Sequence, residues 1–368
     1  MTDSIPMTEE QAVVVVLQHK MTTLGLCAKH VESVAGPIVS VHKFLPLGAT
    51  RVSQIEGLAQ DFAVALSVED VFVKRMPGEA AVGIFVPNRE RKSVLWRDMC
   101  STTNDTPVPL VLGIDVNGRR IVEDLTTLPH LLIAGSTGSG KSTLLGSLIA
   151  SILVNRKDVY FVLSDTKGVE FNHFSSAKQL YCPISTTVEG TVLRFDMLVE
   201  EMERRLRLYA NNGHRNILEH NQAYEGTARR LPYIVVVIDE LYDLLTDGRK
   251  VQENDEERST TLGKDASGKL AKLAQKARAT GIHIIASTQR PSVKLLEGDI
   301  KANFPARITF RLPSEADSRT VLGTGGAEHL LSRGDMLFVN PNRPGLQRIH
   351  APLASIVDIE AAVKYASR

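Results

Sequence analysis

At His130-Leu131-Leu132-Ile133-Ala134-Gly135-Ser136-Thr137-Gly138-Ser139-Gly140-Lys141-Ser142-Thr143 an apolar run enters a glycine-rich turn and leaves it as a helix. Gly135 to Ser142 fits G-x-x-x-x-G-K-[ST], the P-loop pattern. Gly135, Gly138 and Gly140 permit backbone conformations barred to residues with a side chain, so successive N–H groups can turn inward around a phosphate. Lys141 would then reach the β and γ phosphates, and Ser142 would offer its hydroxyl to Mg²⁺. The following helix would aim its N-terminal dipole at the anion. Leu131 to Ala134 reads as a buried parallel strand, while Leu144, Leu148 and Ile152 recur at the spacing of a helix face. The expected ligand is ATP with Mg²⁺, cradled by Gly135, Ser136, Thr137, Gly138, Ser139, Gly140, Lys141, Ser142 and Thr143.

A second stretch carries the complementary chemistry. Tyr233 to Ile238 is a β-branched run ending in Asp239-Glu240, expected at the carboxyl end of the strand beside the P-loop strand. Asp239 can hold the Mg²⁺ shell there, and Glu240 can orient and polarise the attacking water. Neither acid is favourable at a buried strand end without a cation or donor nearby. Ile282 to Ala286 reads as another buried strand, followed by Ser287-Thr288-Gln289-Arg290-Pro291. Gln289 would sit beside the γ-phosphate and sense its presence.

The chain has 368 residues, long for one domain. Its formal net charge of +1 decides nothing about nucleic acid, because a basic patch can sit inside a neutral total. Cys27, Cys100 and Cys182 lie far apart and form no metal or disulfide pattern, as expected of thiols in a reducing cytosol. No apolar run is long enough to cross a bilayer, and Asp3, Glu9 and Glu10 stand where a signal peptide would be basic. A cytoplasmic location is the expectation.

Residues 1–107 read as a small α/β unit. It comprises a helix at Gln11–Leu24, an alternating segment Ile38–Phe44, a helix at Val52–Leu66, and strands at Val71–Lys74 and Val82–Val86. His42, Lys43, Arg51, Lys74 and Arg75 are scattered as on a solvated face. Ser101 to Pro109 reads as a linker. From Leu110 strands and helices alternate, which predicts a mainly parallel sheet with helices on both faces. Val192–Tyr209 is expected to be a helix with an exposed face of i,i+4 pairs, Glu200/Arg204, Glu201/Arg205 and Glu203/Arg207. Thr246–Gly268 is almost free of apolar residues and reads as an exposed, mobile insertion, before a helix at Lys269–Thr280. The expected fold is α/β, a P-loop NTPase domain over 108–368 preceded by the smaller domain.

Taken with Lys276-Ala277-Arg278-Ala279-Thr280-Gly281-Ile282-His283 and Thr288-Gln289-Arg290-Pro291-Ser292-Val293, these motifs closely resemble the motor of the FtsK/SpoIIIE DNA translocases. The resemblance runs on through Ile300-Lys301-Ala302-Asn303, Asp317-Ser318-Arg319-Thr320, Gly325-Gly326-Ala327-Glu328 and Gly334-Asp335-Met336-Leu337. It reaches back to Gly36-Pro37-Ile38-Val39, Leu66-Ser67-Val68 and Pro87-Asn88, which look like that family's small α domain. It implies a RecA-like motor assembling as a hexameric ring around double-stranded DNA and driving it through the central pore by ATP hydrolysis. It also implies that Arg278 crosses to a neighbour's γ-phosphate, and that Arg290, Lys301 and Arg319 contact DNA in the pore.

Asp165-Thr166-Lys167 departs from the family's D-P-K, and Glu315 stands where many relatives have Lys. Hallmark members also carry membrane spans before the motor and a winged-helix domain after it, so this chain is expected to be a minimal member or an excised motor. The alternative is a ring ATPase coupled to conjugative DNA transfer or protein secretion. A nucleotide-dependent scaffold leaves Lys141, Asp239 and Glu240 without a role, and a small-molecule kinase leaves the α domain without one.

Overall fold

The computed structural model describes residues 8–76, 78–101, 106–253, 256–292 and 299–367, with the side chains of 252–259 and 299 left aside. Val293, at the end of the Thr288–Val293 motif, lies outside the described residues, as does part of the Thr246–Gly268 insertion.

The chain divides into two compact units. One holds the residues up to Val94 together with Ile114–Arg120; the other holds Leu95–Gly113 and Ile121 onward. The division falls ahead of the expected Ser101–Pro109 linker. Trp96 is the reason: its buried indole Nε1 donates to Ser151 Oγ at 2.8 Å and to the Ser147 carbonyl at 3.2 Å, both on the P-loop helix.

The first unit contains α1 (Glu9–Thr23), β1 (Ala28–Ala35), β2 (Val39–Pro46), α2 (Val52–Glu56), α3 (Ala59–Leu66), β3 (Phe72–Arg75) and β4 (Val82–Pro87). Its four strands pair in the order β1-β2-β4-β3. Leu17, Met21, Phe44, Ile55, Phe62, Val73 and Ile84 share its core. The expected Val52–Leu66 helix is broken into α2 and α3, and β1 was not legible in the sequence.

The chain continues with β5 (Pro109–Asp115), β6 (Arg120–Asp124), β7 (His130–Ala134), α4 (Lys141–Asn155), β8 (Val159–Ser164), α5 (Val188–Asn212), α6 (Ile217–Ala223), β9 (Tyr233–Ile238) and α7 (Leu241–Leu245). Then come β10 (Lys250–Glu253), β11 (Glu256–Thr261), α8 (Leu262–Lys276), β12 (Ile282–Thr288), α9 (Asp299–Asn303) and β13 (Ala306–Phe310). The last elements are α10 (Glu315–Leu322), β14 (Asp335–Val339), β15 (Leu346–His350) and α11 (Ile356–Ala366).

A nine-stranded sheet runs β6-β5-β15-β14-β13-β7-β12-β9-β8. Its parallel part is β13-β7-β12-β9-β8, and β14 and β15 continue it antiparallel, so the sheet is mixed. Side chains alternate between two apolar faces, as buried parallel strands require. Leu131, Ile133, Val235 and Val237 face a core shared with α4; Leu132, Ala134, Ile234, Val236 and Ile238 face one shared with α5 and α8.

The strand order corrects one expectation. β9 does not lie beside the P-loop strand: β7 pairs with β12 and β13, and β12 separates it from β9. The insertion also differs from the loop expected. It holds the β10–β11 hairpin, and α8 starts at Leu262, where Leu262, Ala266, Leu270 and Leu273 form a buried stripe.

Candidate nucleotide site

The carboxyl ends of β7, β12 and β9 carry most of the residues expected in a site. β7 delivers the chain into the Gly135–Gly140 turn, where Gly138 and Gly140 adopt φ of 77° and 115°. A Cβ at Gly140 would stand 2.8 Å from the Gly334 nitrogen, and Gly334 N–H donates to the Ser139 carbonyl at 2.9 Å. Only glycine satisfies both the conformation and the approach. Gly140 caps α4 without a side chain, so the first-turn N–H groups, including those of Lys141, Ser142 and Thr143, have no intrahelical acceptor and remain for an anion. Ser136 is tied through its N–H and hydroxyl to the Arg311 carbonyl, and Ser139 Oγ is buried with no partner among the described residues.

Lys141 turns across β12 toward β9. Its Nζ donates to the Asp239 carbonyl at 2.9 Å, to Asp239 Oδ1 at 3.2 Å and to Ser287 Oγ at 2.9 Å. Lys141 and Asp239 are 3 % and 2 % exposed, so each is the other's main charge compensation. Glu240 is equally buried and accepts from Thr288 Oγ1 at 2.8 Å and from Gln289 N–H at 3.0 Å. Gln289 Oε1 in turn accepts from Thr137 Oγ1 of the P-loop at 2.9 Å. Lysine, both acids, Gln289 and the P-loop are thus one hydrogen-bonded group.

The loop that opens with Asp165-Thr166-Lys167 also enters, through Glu170, which the motifs did not mark. Buried Asp165, at the end of β8, accepts the backbone N–H groups of Lys167, Gly168, Glu170 and Phe171. The turn this builds presents Glu170 Oε1 to Ser142 Oγ at 2.9 Å and sets Lys167 Nζ 3.8 Å from Glu240 Oε2. The signal available in the sequence was Asp165 itself, a buried acid with a glycine three residues on.

The Ser142 hydroxyl meets the Glu170 carboxylate, and Asp239 is held by the adjoining Lys141; all three offer oxygen, the chemistry that suits Mg²⁺. Among the described residues no cluster of three or more His, Cys, Asp or Glu could hold a metal alone.

Arg278 is not brought to this group. It lies in the turn Ala277–Thr280 before β12, exposed and with no ion pair among the described residues. At about 3.3 Å per residue, the seven residues of β12 separate that turn from Thr288 by roughly 20 Å. Beneath the turn is a strut that sequence reading took for surface. Arg205 of α5 is 1 % exposed and donates from Nη1 to the Thr280 and Pro232 carbonyls at 2.9 and 2.8 Å, while its Nε meets Glu201 at 2.6 Å. Glu203 pairs with Lys272 of α8 at 2.6 Å, so the expected Glu203/Arg207 pairing is replaced by a contact between helices.

The three basic residues assigned to DNA stand on or beside three different elements. Arg290 follows β12, exposed, its guanidinium 5.4 Å from the centre of the Tyr242 ring. Arg319 is exposed on α10 and paired with Glu315 at 2.6 Å. Lys301 lies on α9. Arg307 of β13, which the sequence did not mark, joins these last two helices by donating to the Lys301 carbonyl at 3.1 Å and the Val321 carbonyl at 3.4 Å. Burial holds its guanidinium below the usual arginine range. No described helix is long and apolar enough to cross a membrane.

Comparison with known proteins gives a consistent picture. The family model described as the FtsK/SpoIIIE family matches residues 94–293, and that of the FtsK alpha domain matches residues 2–88. DNA translocase FtsK of Bacillus anthracis is 39% identical over 363 residues, covering 95% of this chain and 44% of the relative. That of Oceanobacillus iheyensis is 40% identical over 368 residues, covering 96% and 45%. The chain therefore spans less than half the length of these curated relatives. Among solved structures, the pCW3 conjugation coupling protein TcpA, a monomer form with ATPγS, aligns with a TM-score of 0.67 and 25% identity over 96% of this chain and 99% of its own. The cytoplasmic domain of the Thermomonospora curvata type VII secretion ATPase EccC aligns with a TM-score of 0.62 and 22% identity over 74% of this chain and 34% of its own, a likeness of fold.

Proposed function

The chain belongs to the FtsK/SpoIIIE family, and from that premise we propose that it is an ATP-driven motor that pumps double-stranded DNA through the pore of a hexameric ring. The observation that carries this reading is the split of the site. Lys141, Asp239, Glu240 and Gln289 are assembled at one end of the sheet, while Arg278 stands at the other end, out of reach of its own cradle. A neighbouring subunit can bring the two together.

In this reading the P-loop N–H groups and Lys141 hold the ATP phosphates, and Ser142 and Asp239 hold Mg²⁺. Mg²⁺ held by Ser142 and Asp239 would supply charge neutralisation to the phosphates. Lys141 must leave Asp239 for the phosphates, so nucleotide replaces the partner that keeps it neutralised. Glu240, freed by movement of Gln289, orients the water and takes its proton. The same movement of Gln289 releases Thr137 and signals that the γ-phosphate is present. Arg290, Lys301 and Arg319 would engage DNA phosphates, contacts that give affinity without reading bases.

The test is ATPase activity with and without duplex DNA, together with displacement of a protein roadblock from that DNA. Both are expected, and both are lost in Lys141→Ala and Glu240→Gln. Hydrolysis indifferent to duplex DNA at low salt overturns the reading.

A second reading keeps the motor and changes the cargo to a conjugation complex, supported by the likeness to TcpA along nearly all of both chains. It predicts capture of a relaxase and no roadblock displacement on naked duplex.

A further inference from the structure

The bond from Ser142 Oγ to Glu170 Oε1 has no part in the reading above. Ser142 is the first-turn hydroxyl of α4, and Glu170 comes from a separate loop 28 residues on in the chain, yet the two oxygens are 2.9 Å apart. The contact is built. Asp165 fixes the loop through backbone bonds of 2.7 Å from Glu170 N–H and 3.1 Å from Phe171 N–H, and Phe171 is 1 % exposed in the core below. Asp239 is engaged elsewhere, its Oδ1 and its carbonyl both accepting from Lys141.

A serine hydroxyl has one hydrogen and two lone pairs. When its oxygen ligates a cation, the hydrogen becomes more acidic and needs an acceptor that fixes the rotor with a lone pair toward the metal. We propose that Glu170 is that acceptor, a positioning residue that holds Ser142 in its metal-ligating rotamer and places a negative charge beside the cation. The inference rests on the proposed Mg²⁺-dependent use of ATP. It deepens that reading by adding a carboxylate from the Asp165 loop to the acid pair at the end of β9.

Partners of this kind change metal affinity by about 10- to 100-fold when removed. The effect should fall on the metal-dependent part of nucleotide binding, because among the described residues Glu170 meets the P-loop through the Ser142 hydroxyl and not through the backbone N–H groups that would meet the phosphates.

The experiment is a binding titration with ATPγS, in Mg²⁺ and in EDTA, on wild type, Glu170→Ala and Glu170→Gln. Wild type is expected to bind more tightly with Mg²⁺. Glu170→Ala should lose about 10-fold or more of its affinity in Mg²⁺, and need a correspondingly higher Mg²⁺ concentration for half-maximal binding, with its EDTA affinity unchanged. Glu170→Gln, whose amide oxygen still accepts the hydroxyl, should fall between them. Equal losses with and without Mg²⁺ would assign Glu170 a structural role and overturn the inference, as would no loss at all. If wild type binds no nucleotide, or binds it without regard to Mg²⁺, the motor reading fails with it; a normal wild type beside an unaltered Glu170→Ala sinks this inference alone.

Discussion

Lys141 Nζ lies 2.9 Å from the carbonyl oxygen of Asp239, although β12 separates the strands from which the two residues emerge. The ammonium crosses that strand by leaning on Ser287 Oγ, and the P-loop and the acid pair are thereby joined. Both side chains are nearly inaccessible, so removing one leaves the other as an uncompensated buried charge.

Lys141→Ala should therefore do two things. ATP binding and hydrolysis are lost, and the free protein is destabilised by about 3 kcal/mol, the usual cost of breaking a buried pair from one side. Urea unfolding checks the second effect, and saturating ATP should fail to restore the lost stability.

Glu240→Gln should separate binding from chemistry. The amide keeps one carbonyl oxygen to accept from Thr288 Oγ1 or Gln289 N–H, so the strand ends stay in place. ATP should still bind within a few-fold of wild type, while the rate of hydrolysis falls by about 10² to 10⁴, as for loss of a general base. Nucleotide titration beside single-turnover kinetics distinguishes the two quantities.

How much of this was legible in the sequence varies by residue for physical reasons. The P-loop could be read because Gly138, Gly140 and Lys141 are each demanded by local geometry. The acid pair could be read because an apolar run has few reasons to end in Asp239-Glu240. Strand neighbours could not be read, since period-two alternation marks a strand and says nothing of which strand pairs with it. Glu170 escaped because its place depends on a turn that Asp165 folds. Arg205 escaped because i,i+4 spacing from Glu201 is the same on a wet face and a buried one. The early start of α8 was masked by Lys264, Asp265 and Ser267, although Leu262, Ala266, Leu270 and Leu273 carried the stripe.

Arg205→Ala should cost stability and leave the nucleotide cradle intact. It removes the donor to the Thr280 and Pro232 carbonyls and strips Glu201 of a partner in a site that is 1 % exposed on the arginine side. A loss of about 3 kcal/mol in denaturant unfolding is expected. ATPγS affinity of the folded protein should be unchanged.

Acid should destabilise the larger unit well above the carboxylate range. Burial lowers His130 to about 3, and His283 and His350 to about 4, from an ordinary 6.5. His130 also accepts the Ile284 N–H on Nδ1 while donating from Nε2 to the Ala274 carbonyl, so a second proton would break a bond between β7 and β12. The unfolded chain takes up these protons below about pH 6.5 and the native chain does not, so stability falls with pH from there toward 4. Urea midpoints at pH 7, 6 and 5 should decline in order, and less steeply in His283→Gln.

In the proposed motor the cradle of one subunit is completed by Arg278 of another. Arg278→Ala protein, with an intact P-loop, and Lys141→Ala protein, with an intact Arg278, are mixed on duplex DNA and ATP turnover is measured against each alone. Each alone should be inactive, Arg278→Ala by about 10³ or more as for other arginine fingers, and the mixture should regain turnover well above the sum. Wild-type rates from Arg278→Ala by itself, or a mixture no more active than its parts, would contradict the account.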